Sequence, residues 1–232
     1  NHSIKNLLLS ALLDIKGNFN DSIPILMKLL DVNGNILPLT EDNADLVGIT
    51  EDNKKILGEE QITKCASKIK KVEYSRKIKI NPQVLAAVEE ADLIIFSSGS
   101  LLTSIAPHLI NKSLVKAINN AKAPKMYICN LFTQPGETDN YAVSNHIKTL
   151  ENYLGNKGID VVIANNNMLN KELVNIYQTT EQKDPVILDT DNLKKLGIKI
   201  LADDLAKEED GVYRHDSLKT AYLIFSYLMD NE

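Results

Sequence analysis

The spacing of apolar residues changes along this chain, and the changes divide it into helices, short alternating strands and fully buried strands. Ile4, Leu7, Leu8, Ala11, Leu12 and Ile15 recur at helical spacing as far as Gly17, which predicts an amphipathic helix whose stripe faces a core. A second helix is expected from Asp21 or Ser22, with Pro24 in its first turn and Ile25, Leu26, Leu29 and Leu30 behind it. It ends before Asn33-Gly34. Residues 36–39, 44–50, 55–59 and 69–74 are then brief alternating runs separated by turns such as Glu51-Asp52-Asn53-Lys54. Residues 36–75 are therefore expected to form a small antiparallel hairpin insertion at the edge of a main sheet, with its outer charges solvated.

Helical spacing returns at Val84, Leu85 and Val88, and after it the runs at residues 93–96, 125–130 and 160–164 are almost unbroken in their apolar character. Strands covered on both faces read this way, and parallel sheets are built from them. Helices over 107–121 and 143–154 supply the right-handed crossovers. Residues 171–180 are expected as a helix carrying Tyr177, and residues 185–188 and 198–202 as two shorter strands. A long terminal helix runs through Leu218, Ala221, Tyr222, Ile224, Phe225 and Leu228, with Asp216 or Ser217 as its N-cap. The fold class is α/β: a mostly parallel sheet with helices on both faces.

Each buried run ends in polar residues. Ser97-Ser98-Gly99-Ser100 follows the first, residues 130–139 the second, and Asn165-Asn166-Asn167 the third. Ligands of open parallel sheets bind beyond the carboxyl ends of the strands, so three such ends on one edge define the candidate site. The first turn brings free backbone N–H groups, small side chains and the hydroxyls of Ser98, Ser100, Thr103 and Ser104 to the start of a helix, which suits a phosphate. The same residues also describe an ordinary Ser-capped turn.

Composition limits the alternatives. With 232 residues, of which 44% are hydrophobic, the chain builds the core of one domain. A net charge of -5 argues against a nucleic-acid footprint, although lysines gather locally over residues 68–79. Cys65 and Cys129 have no metal-ligand spacing and read as free thiols of a reducing compartment. No apolar run approaches the roughly 18 residues needed to span a bilayer, and no basic-then-apolar leader opens the chain. A cytoplasmic protein is expected.

The remaining candidates each have two readings. Glu137 and Asp139 pair carboxylates near a helix start, where they suit Mg²⁺ or acid–base work but equally the helix dipole. Tyr177 offers a ring to a base and Arg214 a fork to a phosphate, or a packed helix Tyr and a surface Arg. His2, Ser3 and Asn6 sit at the front of the first helix, facing a ligand or capping it. His108 and His146 are lone helical histidines, read as structural. Ser217 is a cap or a phosphorylation site next to Arg214. No GxSxG, HExxH, Walker or CxxC motif is present, and no residue is assigned a catalytic role.

Four blocks taken together carry a resemblance: NHSIKNLLLSAL, ADLIIFSSGSLLTSIAPHL, YICNLFTQPGETDNYAVSNHI and GVYRHDSLK. They resemble the gluconeogenesis-factor (YvcK-like) branch of the family that also contains 2-phospho-L-lactate transferase (CofD-like). The resemblance implies one Rossmann-like domain over residues 1–232 and a cytoplasmic protein that binds nucleotide sugars such as UDP-N-acetylglucosamine. It also implies a role in cell shape and envelope growth on gluconeogenic carbon sources. By motif, it assigns ligand binding to Asn6, Ser98, Gly99, Ser100, Thr103, Asn130, Thr133, Gln134, Thr138, Tyr177 and Arg214. Ser217 falls where some members carry a phosphorylatable Thr. The family's glycine-rich strand–turn–helix is expected to lie outside this chain, and Ser97-Ser98-Gly99 replaces a Gly-Pro-Gly type of turn.

Two functions follow as expectations. One is a regulatory protein that binds a nucleotide sugar without turnover. The other is a transferase moving a phospholactyl-type group from a nucleotide to an acceptor, with Mg²⁺ near Glu137 or Asp139. A scaffold whose partner reads residues 36–74 is a weaker third. Expected partners are the nucleotide sugar, a Ser/Thr kinase and further copies of the chain, with no nucleic acid and no membrane span.

Overall fold

The computed structural model describes residues 4–65, 67–155 and 158–231. Helices α1 (Ile4–Lys16) and α2 (Phe19–Leu29) pack on each other. The α1 stripe does not face the core as expected: Ile4, Leu7, Leu8 and Ile15 are exposed, because α2 covers only part of it. Helix α2 starts before Asp21. Asn18 caps it by accepting from the Asp21 N–H, and the Glu41 carboxylate, distant in sequence, accepts from the N–H groups of Phe19 and Asn20.

Strands β1 (Leu46–Thr50) and β2 (Lys55–Leu57), helix α3 (Glu59–Thr63) and strand β3 (Ile69–Tyr74) follow. The strands form an antiparallel sheet of their own, in the order β2-β1-β3, while residues 36–39 form no strand. Pro38 and Leu39 instead offer their carbonyls to Asn81. Helix α4 (Pro82–Glu89) is capped by Asn81, and β4 (Ile94–Phe96) comes next. A π-helical turn (Leu101–Ile105) comes first, and the single expected crossover helix is broken into α5 (Ala106–Leu109) and α6 (Lys112–Asn120). Asn111 causes the break by capping α6 with its side chain.

Strand β5 (Lys125–Ile128), helix α7 (Val143–Leu154) and strand β6 (Val161–Asn165) match the expected βαβ succession. Helix α8 (Lys171–Ile176) runs into a second π-helical turn (Tyr177–Glu181). Residues 185–188 do not join the sheet; they make only isolated bridges, Pro185 to Phe132 and Ile187 to Ala142. Helix α9 (Thr190–Lys195) and strand β7 (Lys199–Asp203) complete the parallel sheet, ordered β4-β5-β6-β7. The hairpin of β8 (Ala206–Glu209) and β9 (Val212–His215) then leads into α10 (Ser217–Met229).

The two faces of the parallel sheet carry two cores. Tyr127, Val162 and Ala164 point into a layer with Leu109, Leu114, Ile118, Ile147, Leu150 and Leu193, from helices α5, α6, α7 and α9. Their sequence neighbours Met126, Val161 and Ile163 point the other way, against Leu205 and Tyr227 of α10. This period of two, with both sets apolar, makes the runs continuous, the pattern of parallel strands covered on both faces. The small sheet is fastened beneath the strand tips. The Tyr153 hydroxyl accepts from the Val72 N–H at 3.1 Å, and the Ile69 N–H donates to the Gly136 carbonyl at 2.9 Å.

Candidate functional site

The turn after β4 is built by close packing and by an amide from the neighbouring strand. A Cβ on Gly99 would stand 3.0 Å from that of Ser104, tighter than ordinary packing, so a larger residue there would have to push the Ser104 side chain aside. The Asn130 side chain lies beyond β5. Its Nδ2 donates to the carbonyls of Ser98 (3.3 Å) and Gly99 (3.0 Å), and its Oδ1 accepts from the Tyr127 hydroxyl at 2.8 Å. In a trans peptide the N–H points opposite to the carbonyl. Holding these two carbonyls therefore aims the N–H groups of Gly99 and Ser100 away from Asn130. Among the described residues, the N–H groups of Ser98, Gly99 and Ser100 donate to no protein acceptor.

Ser100 is committed to the turn itself. Its hydroxyl accepts from the N–H and hydroxyl of Thr103 and donates to Glu137 Oε2 at 2.7 Å. The same carboxylate accepts from the Leu102 N–H. Glu137 is only 3% exposed, and burial raises its carboxyl pKa above the usual range, against the lowering effect of those two bonds. Asp139 closes its own loop by accepting from the Gly136 N–H. The expected carboxylate pair thus holds two loops rather than opening onto a ligand. Among the described residues, no group of three or more His, Cys, Asp or Glu is placed to hold a metal.

A polar cleft of about 230 Å³ opens between the tips of β4 and β5 and the β8–β9 hairpin, lined by Ser98, Ser100, Asn130, Thr133, Gln134, Lys183, Tyr213 and His215 among others. Five of the expected ligand residues line it, and Gly99 lies in the turn at its rim. Gln134 keeps its side-chain amide uncommitted among the described residues, while Thr133 is held by paired bonds with the backbone of Asp184. Lys183 Nζ lies 2.6 Å from Glu181. Cys129 is buried just below, and burial pushes its thiol up to about 12, so it stays protonated.

The other expected residues fall elsewhere. Thr103 is buried in the π-helical turn, and Thr138 is buried with its hydroxyl accepting from the Gln134 N–H. Tyr177 is buried and stacks on Phe132 with centroids 4.3 Å apart, and its hydroxyl accepts from the Tyr213 N–H at 2.9 Å. It shapes the cleft wall through those two neighbours. Arg214 points away: on β9 it alternates with Tyr213 and His215, and its Nε lies 4.0 Å from Glu209 on the outer face. Asn6, on α1, does not line the cleft. Asn165 accepts from the Leu205 N–H and lines a second groove, which meets the cleft at Leu131. Ser217 is exposed in the first turn of α10, where Asp216 is the cap. His2 and Ser3 lie outside the described residues. His146 is buried between Tyr127 and Tyr141, with its pKa lowered by burial, as a structural histidine should be.

The hairpin residues Tyr213 and His215, and the neighbouring Lys183, were not anticipated as site residues. The signal was Asp210-Gly211 between two alternating runs. Both residues take positive φ, 52° and 74°, as a two-residue hairpin turn requires.

With this geometry in hand, residues 1–206 match the profile of the family described as 2-phospho-L-lactate transferase CofD. The chain belongs to the CofD family. Within it, a Bacillus subtilis (strain 168) relative named gluconeogenesis factor is 34% identical over 230 residues, covering 99% of this chain and 72% of its own. A Thermotoga maritima relative is 41% identical over 229 residues, covering 96% of this chain and 71% of its own. A solved structure from Bacillus halodurans, described as a member of the UPF0052 family, superposes with a TM-score of 0.90 at 35% identity, covering 96% and 72% of the two chains. These matches agree with the four-stranded parallel sheet flanked by helices. Among the described residues, no helix is long and apolar enough to cross a membrane.

Proposed function

We propose that the chain is a regulatory protein that binds a nucleotide sugar of the UDP-N-acetylglucosamine type, acting on cell shape and envelope growth on gluconeogenic carbon sources. The observation that carries this reading is the tip of β4. Three consecutive N–H groups lack acceptors there among the described residues, beside a cleft that holds the Ser98 hydroxyl, the Gln134 amide and the Lys183 ammonium. Consecutive N–H groups and a cation are what a diphosphate requires. The gluconeogenesis-factor name of the relatives supports the regulatory role. A cytoplasmic location, assembly into a homo-oligomer and modification of exposed Ser217 by a Ser/Thr kinase belong to the same proposal.

Calorimetry of UDP-N-acetylglucosamine with the full chain tests it. Binding is expected, weakened roughly ten- to a hundredfold in Lys183→Ala, the worth of one hydrogen bond from a charged group at about 1.5–3 kcal/mol. Absence of binding, or an unchanged affinity in that variant, counts against it.

The family's own description keeps a second reading in view, that of a transferase. It would seat Mg²⁺ at Glu137 or Asp139, but the first turns into the core and the second closes its own loop, so we derive no step through a metal. Metal-dependent turnover of a nucleotide-activated substrate that disappears in Asp139→Asn would favour it.

A further inference from the structure

We propose that His215 is a ligand of the diphosphate site that binds by taking up a proton: as a nucleoside diphosphate diester enters the cleft, the ring gains a proton at Nδ1 and donates it to a phosphate oxygen. The inference rests on the reading above that the cleft receives such a diphosphate.

Both ring nitrogens are placed for this. Nε2 lies 3.0 Å from the Cys129 carbonyl oxygen, which only accepts, so in the neutral ring the proton sits on Nε2. Nδ1 is left with a lone pair, 3.4 Å from the Ser98 hydroxyl in the lining of the cleft. Burial lowers the ring's pKa below the ordinary imidazole value, which keeps it neutral in the free protein. A phosphate oxygen set against that lone pair is repelled; set against an N–H of an imidazolium it is held by a charge-assisted hydrogen bond. Protonation leaves the Cys129 bond intact, since an imidazolium donates from both nitrogens, and it frees the Ser98 hydroxyl to turn to the ligand.

The surrounding titratable groups do not take this role. Lys183 is already a cation, and the Tyr213 hydroxyl accepts from the Asn170 N–H. The Cys129 thiol is held protonated by burial, and Glu137 is turned from the cleft toward Ser100 and Leu102. Of the chain neighbours, Arg214 faces the outside of β9 and Asp216 caps α10.

UDP-N-acetylglucosamine tests the idea, because its diphosphate is a diester with no group that titrates near neutrality. The full chain is titrated by calorimetry at pH 7 in PIPES and in Tris, whose ionisation heats differ. The expected result is a heat that differs between buffers by the uptake of up to one proton per ligand. Affinity should also fall as pH rises, by up to about tenfold per unit between the free and bound pKa values of the ring. His215→Gln retains a donor for the Cys129 carbonyl but accepts no proton, so its heats should agree between buffers and its affinity stay flat from pH 5.5 to 8. Binding with equal heats in both buffers overturns the inference and leaves the ligand assignment standing, and so does proton uptake that persists in His215→Gln. No binding at any pH removes the ligand assignment and this inference with it. The two-buffer comparison on the unaltered chain decides the matter even where the variant fails to fold.

Discussion

Asn130 Nδ2 donates to the Gly99 carbonyl at 3.0 Å, so the residue that ends one inner strand fixes the turn that ends its neighbour. The same side chain accepts from the fully buried Tyr127 hydroxyl. Asn130→Ala leaves that hydroxyl and two carbonyls without partners and should destabilise the fold by about 2–4 kcal/mol in urea denaturation. Asn130→Asp should do no better, since a carboxylate would face two carbonyl oxygens. Stability within 0.5 kcal/mol of the unaltered chain, about the scatter of a neutral surface substitution, would contradict this.

Glu137 links stability to pH. Its folded pKa is raised by burial, so the native state holds a proton that the unfolded chain has already released. Its contribution to stability is therefore fully present below the ordinary carboxylate pKa and is lost as pH rises through the raised value. Glu137→Gln keeps an acceptor for Ser100 and Leu102 without the charge. The unaltered chain should gain on this variant as pH falls from 7 toward 4.5, measured as thermal midpoints side by side. A constant gap would show that the carboxyl titrates as it does in the unfolded chain.

Gly136 adopts φ 77°, and a Cβ there would approach the Cys65 carbonyl to 2.9 Å. Gly136→Ala combines backbone strain with that clash and should cost at least about 1–3 kcal/mol. Because the Gly136 carbonyl accepts from Ile69, the loss should also speed amide exchange of Ile69 in β3. Exchange confined to residues 130–139 would place the damage in that loop alone.

Tyr177 and Arg214 give a pair of contrasting outcomes. Tyr177→Phe removes the acceptor of the Tyr213 N–H and should loosen the hairpin by about 1 kcal/mol, with weaker nucleotide-sugar binding as a secondary effect. Arg214→Ala should leave stability within about 0.5 kcal/mol, as expected of a solvated surface residue. Ligand affinity that drops sharply in Arg214→Ala would mean that β9 rotates on binding.

Much of the fold was legible because the strands of the parallel sheet obey a local rule, although β4, expected to be covered on both faces, lies at the sheet's edge and leaves Ile95 41% exposed. The apolar runs around Ile94, Tyr127 and Val162 are strands, and their polar tips do meet for two of the three. What escaped depends on contacts between residues far apart in sequence. Glu41 starts α2 from twenty-one positions away from Asn20, and residues 185–188 look like a strand but find only isolated bridges at Phe132 and Ala142. Within the site, hydroxyls and amides announce polarity but not direction. Ser100, Thr133 and Thr138 read as ligand contacts, yet their hydroxyls bind the protein's own loops. His215 was hidden because its partners, Ser98 and Cys129, sit just beyond the ends of other strands.

The β8–β9 hairpin presents side chains to the cleft in alternation, and alternation is unforgiving of length. Deleting one residue between Gly211 and Tyr213 would reverse the facing of every later position in the strand, withdrawing the imidazole and turning the guanidinium inward. A neutral lone pair would be exchanged for a permanent cation. The spacing of that short ribbon thus decides whether the hairpin meets an incoming anion with a ring that can take up a proton or with a fixed cation.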